Sequence, residues 1–392
     1  MIPRLLSRAS ACVVALLAIT PAGHAEDTIV IGFGGDLTGP LAFYETLVRN
    51  GARLAVDEIN AAGGIGGTYR IDLRVKDVRS EPSESAAAGR DFVGAGAKVM
   101  IAPCDVGAAA AFSMAGQQAA VPVIAPCVGT PTLASTVGDF MFQIYPSYEL
   151  QATVLAKFAR AQGYRTAYIL EEPETPYGEI LPRTFAAAFE KMGGSLAGNG
   201  SFAFAQQDFD ATVAAIRSIA PPVDVVMTAA SEPEFPIFLR QLRDASVTAP
   251  VLAGDAVDSP TTPALGTLAE GLVYTSAACP KPDGALDKFE HDYGAKFGGD
   301  LQADGAPYAA VAYEAVKLIG AAVAKAGGTD GPAIRDALNG MADFPGIACG
   351  GITLAGAHRV ALRPVGLMRI EKGRKTLVET LRPEPSELPG PE

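Results

Sequence analysis

From residue 28 onward, short apolar runs alternate with amphipathic stretches at helical spacing, and the alternation begins afresh after Tyr145. This doubled rhythm constrains the fold more than any other feature of the chain. Residues 28–33 read as a buried strand. Val48, Ala52, Ala55, Val56 and Ile59 then recur at helical spacing with Asp57 and Glu58 on the other face, and Gly63-Gly64 stops the helix. Ile71, Leu73 and Val75 alternate with Asp72, Arg74 and Lys76, the pattern of a half-exposed strand. Residues 99–102 and 121–125 are buried-type strands with a helix between them. The second series predicts a helix over 148–161, a strand over 166–170, a helix over 181–192, and strands over 224–229, 251–253 and 272–275. Strand, helix, strand at this pitch calls for a parallel sheet covered by helices on both faces. Two such series in 392 residues predict two α/β lobes, each a doubly wound parallel sheet.

The N-terminus reads as a secretory signal. Arg4 and Arg8 give a positive start, residues 9–19 are apolar but too few to span a bilayer, and Gly23-His24-Ala25 offers a small-x-small cleavage site before Glu26. Most of the apolar run follows Cys12, whereas a lipoprotein cysteine would come after the run, so lipidation is not expected. No later run approaches the ~20 apolar residues of a membrane helix, so direct membrane insertion is not expected and the mature chain should be soluble outside the cytoplasm. Loss of Arg4 and Arg8 takes the formal charge from −12 to −14, with 43 acidic residues and no basic run. Nucleic acid and anionic lipid are therefore poor partners.

Without Cys12, four cysteines remain: Cys104, Cys127, Cys279 and Cys349. An even count in an oxidising compartment favours disulfides, and three pairings are open. With only His291 and His358 left and such wide spacing, a metal site is not expected. Catalytic signatures are missing as well. Gly32-Phe33-Gly34 follows a strand, but Leu37 stands where a dinucleotide fingerprint needs its third glycine. There is no phosphate loop, no Gly-x-Ser-x-Gly and no His-Glu-x-x-His, and two distant histidines leave little scope for an activated nucleophile. A binding protein without a cofactor fits better than an enzyme.

An ordered set of short motifs then points to a family. Ile31-Gly32 leads to Leu37-Thr38-Gly39-Pro40. Asn50-Gly51-Ala52 precedes Ala55-Val56-Asp57-Glu58-Ile59-Asn60, and Ala62-Gly63-Gly64-Ile65 follows. Further on come Val121-Pro122-Val123-Ile124, Tyr177-Gly178, Glu270-Gly271 and Ala312-Tyr313-Glu314-Ala315-Val316. Together they resemble the periplasmic leucine/isoleucine/valine-binding family, the type I solute receptors of ABC importers, over almost the whole mature chain. The resemblance implies a Venus-flytrap fold of two lobes joined by three crossovers near 143–147, 272–276 and 350–355. Lobe I would be 26–146 plus 274–350, lobe II 147–273 plus 351–380, and 381–392 a disordered tail. It also implies a periplasmic receptor that closes on a small-molecule ligand and docks on a membrane permease. The alternative is an extracellular ligand-sensing module without a transport role.

The same resemblance suggests site residues. In the relatives an amino-acid carboxylate meets hydroxyl side chains and backbone amides at two lobe I loops. Here those loops read Ala102-Pro103-Cys104-Asp105-Val106-Gly107 and Ala125-Pro126-Cys127-Val128-Gly129-Thr130. Val106 and Gly129 stand where a serine and a threonine are expected, with Thr130 one step later. Asp105 either caps the next helix or faces the cleft. Tyr44, Tyr177 and Tyr308 match cleft aromatics, Ser231 stands where a tyrosine is common, and Asp255 falls at the acidic position that receives a ligand ammonium. The missing hydroxyls predict weak binding of leucine, isoleucine and valine. Because the two Ala-Pro-Cys loops end neighbouring strands of the implied sheet, Cys104–Cys127 is the expected pair, with Cys279–Cys349 the other, beside the crossovers.

Overall fold

The computed structural model describes residues 27–281, 284–299, 301 and 306–388. The expected signal segment 1–25 and residues 389–392 of the expected tail lie outside the described residues. The chain opens with β1 (Asp27–Gly35), α1 (Ala42–Ala61), β2 (Tyr69–Asp77), α2 (Pro82–Gly94), β3 (Val99–Ile101), α3 (Val106–Ala119), β4 (Val123–Ala125), α4 (Leu133–Val137) and β5 (Met141–Gln143). These strands form one parallel sheet in the order β2-β1-β3-β4-β5. The apolar face of α1 is buried through Val48, Ala52, Ala55 and Val56, the positions that its periodicity marks.

The second unit follows with α5 (Tyr148–Ala161), β6 (Thr166–Glu171), α6 (Pro176–Lys191), β7 (Ser195–Ser201), α7 (Asp210–Ser218), β8 (Val225–Thr228), α8 (Glu234–Asp244), β9 (Val251–Ala253), α9 (Thr261–Ala264) and β10 (Val273–Ser276). The chain then returns to the first unit as α10 (Ala285–Phe297), α11 (Ala306–Ala326) and α12 (Gly331–Asn339). Their apolar faces share one core with α1. Gly51 allows the closest approach in this layer: a Cβ there would lie 2.0 Å from the carbonyl oxygen of Ala309 on α11. The antiparallel hairpin β11 (Val365–Glu371) and β12 (Arg374–Leu381) completes a second sheet, ordered β12-β11-β10-β9-β8-β6-β7.

Three expectations need correction. The third crossover does not fall at 350–355, because Ile352, Leu354 and Ala361 are still buried in the first core and Thr353 pairs with Leu362; the chain leaves that lobe only at Arg363, just before β11. Residues 381–388 are also not a free tail. Leu381 ends β12, the Glu387 carboxylate pairs with Lys157, and Leu388 packs on the second lobe's core. Helix α6 starts ahead of the expected 181, since the Thr175 hydroxyl accepts the Gly178 amide and Pro176 occupies the first turn, where no amide donor is needed.

The crossings meet at one buried polar cluster. Arg363, fully buried, donates to the Ile144 carbonyl at 2.9 Å and to the Glu314 carboxylate at 2.9 Å. The other Glu314 oxygen accepts the Ala348 amide at 2.7 Å. Beside it the Cys279 amide donates to the Ala348 carbonyl at 2.8 Å, and Cys279 is bonded to Cys349 with Cα atoms 4.7 Å apart. Cys104 is bonded to Cys127, Cα to Cα 5.1 Å. The two bridges span 23 and 70 residues. Replacing both cysteines of one bridge by serine is expected to destabilise the protein by roughly 3 kcal/mol for Cys104–Cys127 and roughly 4 for Cys279–Cys349 in the chain-entropy model. Denaturant melts of the two double variants check this.

Candidate ligand-binding cleft

The lobes face each other across a layer of tyrosines. Tyr44, in the first turn of α1, packs on Tyr308 of α11 with ring centroids 5.0 Å apart, and Tyr308 stacks on Tyr145 at 6.0 Å and 9°. From the second lobe, Tyr177 in the first turn of α6 meets Tyr148 edge-on at 5.2 Å. The Tyr177 hydroxyl accepts the Ala256 amide at 3.1 Å. Between these rings lies Asp255, opening a 3-10 turn just past the end of β9. Ligands of open α/β sheets collect beyond such strand ends.

Asp255 is 6 % exposed. Its Oδ2 accepts a hydrogen bond from the Tyr145 hydroxyl at 2.6 Å, its amide donates to Gln151 Oε1, and its carbonyl receives the Tyr308 hydroxyl at 3.5 Å. Its Oδ1 is buried without a partner among the described residues. Burial pushes the carboxyl pKa up, against the pull of the Tyr145 bond. Asp258, close by, has a partner on each carboxylate oxygen: Lys375 donates to one at 2.8 Å and the Ser276 hydroxyl to the other at 2.7 Å. Burial raises the Tyr44 phenol too, and Glu232, Asp255 and Asp258 add to the shift, so this lobe I ring looks onto the acids of lobe II.

Of the residues singled out from sequence, Tyr44, Tyr177, Asp255 and Tyr308 come together here. The others take different positions. Asp105 caps α3, its carboxylate accepting the Ala108 amide at 2.7 Å. Val106 and Val128 pack into the apolar core behind the cleft. Thr130 is buried with its carbonyl accepting Gln143 Nε2, and the Ser231 carbonyl starts α8 by accepting the Phe235 amide. Gly129 lies under the Tyr148 ring: a Cβ there would meet Tyr148 carbons at 2.6 and 2.7 Å. Sequence reasoning passed over Tyr145, Tyr148 and Gln151. Part of the signal was present, since Tyr145 lies inside the predicted first crossover and Tyr148 opens the predicted helix directly after it.

Glu45, next to Tyr44, was also missed. It is fully buried, its Oε1 accepts the Cys104 amide at 2.6 Å, and its Oε2 has no partner among the described residues. Burial pushes its carboxyl up to about 8, opposed by the Cys104 and Asp36 backbone amides and aided more weakly by the Asp36 and Asp105 charges. Between the ordinary carboxyl value and about 8, the folded protein holds a proton that the unfolded chain has released. Stability is therefore full below that window and falls as pH rises through it. Wild type is expected to lose on the order of 1 kcal/mol between pH 6 and 7 that Glu45→Gln does not lose; urea melts at the two pH values measure the difference.

A family model described as periplasmic binding protein matches residues 28–375. The chain belongs to the periplasmic binding protein family. The Leu/Ile/Val-binding protein BraC3 of Rhizobium johnstonii is 30% identical to this periplasmic binding protein over 95% of the chain and all of the relative. The branched-chain amino acid transporter substrate binding protein LivJ of Streptococcus pneumoniae, solved with isoleucine, superposes with a TM-score of 0.79 at 24% identity, covering 91% of this chain and 100% of that one. A solute binding protein from R. palustris in complex with 4-hydroxybenzoate superposes with a TM-score of 0.80 at 21% identity over 92% of this chain and 98% of that one. The two structures share the type I fold of this periplasmic binding protein. Among the described residues, no helix is long and apolar enough to cross a membrane.

Proposed function

We propose that this protein is a periplasmic receptor that captures a small organic molecule between its lobes and hands it to the permease of an ABC importer. The observation that carries the reading is the unpartnered, buried Asp255 oxygen within a layer of tyrosines contributed by both lobes. A buried acceptor without a partner is costly, and a ligand donor relieves that cost. The surrounding rings suit a flat or apolar body with a polar end. Contacts from both lobes exist only when the lobes are together, so a ligand that uses them favours closure. The similarity to a Leu/Ile/Val-binding protein supports the transport role, while the neighbours solved with isoleucine and with 4-hydroxybenzoate show that the fold accommodates different ligands.

A thermal-shift screen of amino acids, aromatic acids, amides and amines, followed by calorimetry of the hits, tests the reading. At least one compound is expected to raise the melting temperature and bind at micromolar concentration or tighter, with compaction in solution scattering. Leucine, isoleucine and valine are expected to bind more weakly than that. A screen that stabilises nothing, or a ligand that binds without compaction, counts against a closing receptor.

A further inference from the structure

In an α/β lobe, a ligand carboxylate is received by backbone N–H groups where strands end and helices begin. The loop between β3 and α3 and the loop after β4 are those places in lobe I, and the protein's own groups already hold them. The Cys104 amide donates to Glu45, and the Ala108 amide to Asp105. At the second loop the Tyr148 ring covers Gly129 so closely that a side chain there would also meet the Pro146 carbonyl at 2.8 Å. The Tyr148 amide donates to the Gly129 carbonyl at 2.8 Å, which fixes the ring's position, and Tyr148 itself is buried. The Cys104–Cys127 bridge ties the two loops together, so neither can withdraw alone. Burial raises the Tyr148 phenol, and both Asp255 and Asp105 add to that shift while a hydrogen bond from the Gly129 backbone opposes it.

We infer that Tyr148 fills the carboxylate end of the cleft and makes the receptor select amines and amides over the corresponding acids. The inference rests on the cleft reading above and names its ligand class. A ligand carboxylate would have to displace a packed phenol ring and then sit beside the Asp105 carboxylate. An amine or amide keeps a donor for Asp255 Oδ1 and makes neither demand. Tyr148 is in this sense a specificity-determining residue, contributed by the start of α5 immediately after the first crossover.

Matched pairs separate the two outcomes: L-leucine against 3-methylbutylamine, and benzoate against benzamide, titrated calorimetrically into wild type, Tyr148→Phe and Tyr148→Ala. In wild type the carboxylate-free member is expected to bind at least tenfold tighter. In Tyr148→Ala that preference should shrink at least tenfold as the acid gains access. Tyr148→Phe keeps the ring and frees only the Gly129 backbone, so its preference should fall between the two, and it serves if Tyr148→Ala does not melt cooperatively. Equal or tighter binding of the acids by wild type overturns the inference, as does an unchanged preference in the folded variants. Absence of binding by every member of both pairs also overturns this ligand class, whereas the receptor reading falls only if the broad screen finds no ligand at all.

Discussion

Asp255→Asn is expected to weaken binding of the best ligand from the screen by more than tenfold while leaving the free protein at least as stable as wild type. The two effects have one origin. The carboxylate is buried, one oxygen is satisfied by Tyr145, and the other has no partner. The free protein therefore carries a desolvated acceptor that only a ligand donor can satisfy. Asparagine keeps the shape and the Tyr145 contact but removes the charge, so a ligand cation loses its counterion. Truncating one side of a desolvated charge-assisted contact costs about 2–5 kcal/mol, which at ~1.4 kcal/mol per tenfold corresponds to at least tenfold. Calorimetry and thermal melts on the same preparation measure both quantities. Unchanged affinity would reduce Asp255 to a structural residue, and a large fall in stability would show that its carboxylate serves the fold.

Glu314→Ala is expected to destabilise the protein by about 3–5 kcal/mol, the range for removing one partner of a buried ion pair. Arg363 and Glu314 are 0% and 1% exposed, so the alanine variant leaves a guanidinium in the interior with, among the described residues, only the Ile144 carbonyl to receive it. It also strips the Ala348 amide of its acceptor. Replacing both residues with apolar side chains of similar length, Glu314→Met with Arg363→Met, should recover most of that loss, because no charge is then left buried. Equilibrium denaturation of the single and double variants decides the matter. A single variant within about 1 kcal/mol of wild type would mean that water reaches the cluster.

The sequence made the parallel sheets legible because their strands are either continuous apolar runs or clean alternations. It left β7 hidden: Ser195-Leu196-Ala197-Gly198-Asn199-Gly200-Ser201 is an exposed edge with two glycines, and neither hydrophobic periodicity nor strand propensity marks it. The hairpin of β11 and β12 was hidden for a related reason, since β12 is mostly exposed and rich in charge. At the cleft, the family resemblance pointed to Tyr44, Tyr177, Asp255 and Tyr308. What could not be read was which way a side chain turns. Val106 and Val128 stand in the loops where a ligand residue is sought, yet their side chains serve the core. Tyr148 reads as the first residue of a helix, and only the three-dimensional path brings its ring over Gly129. Glu45 looks like a first-turn acid that favours a helix start, and nothing local announces that it is sealed from water.

Neither lobe is a continuous stretch of chain. The inner face of α1 is covered by α11, Asn50 on α1 is held by Tyr293 from 243 residues further along, and the second sheet gains its last two strands only at β11 and β12. Native contacts so distant in sequence form late, because a long loop must close before they give anything back. During synthesis the first half of the chain therefore exposes an apolar surface whose proper cover has not yet been made. Whatever machinery handles this nascent chain meets it open rather than folded, and must shield α1 from other chains until α11 arrives.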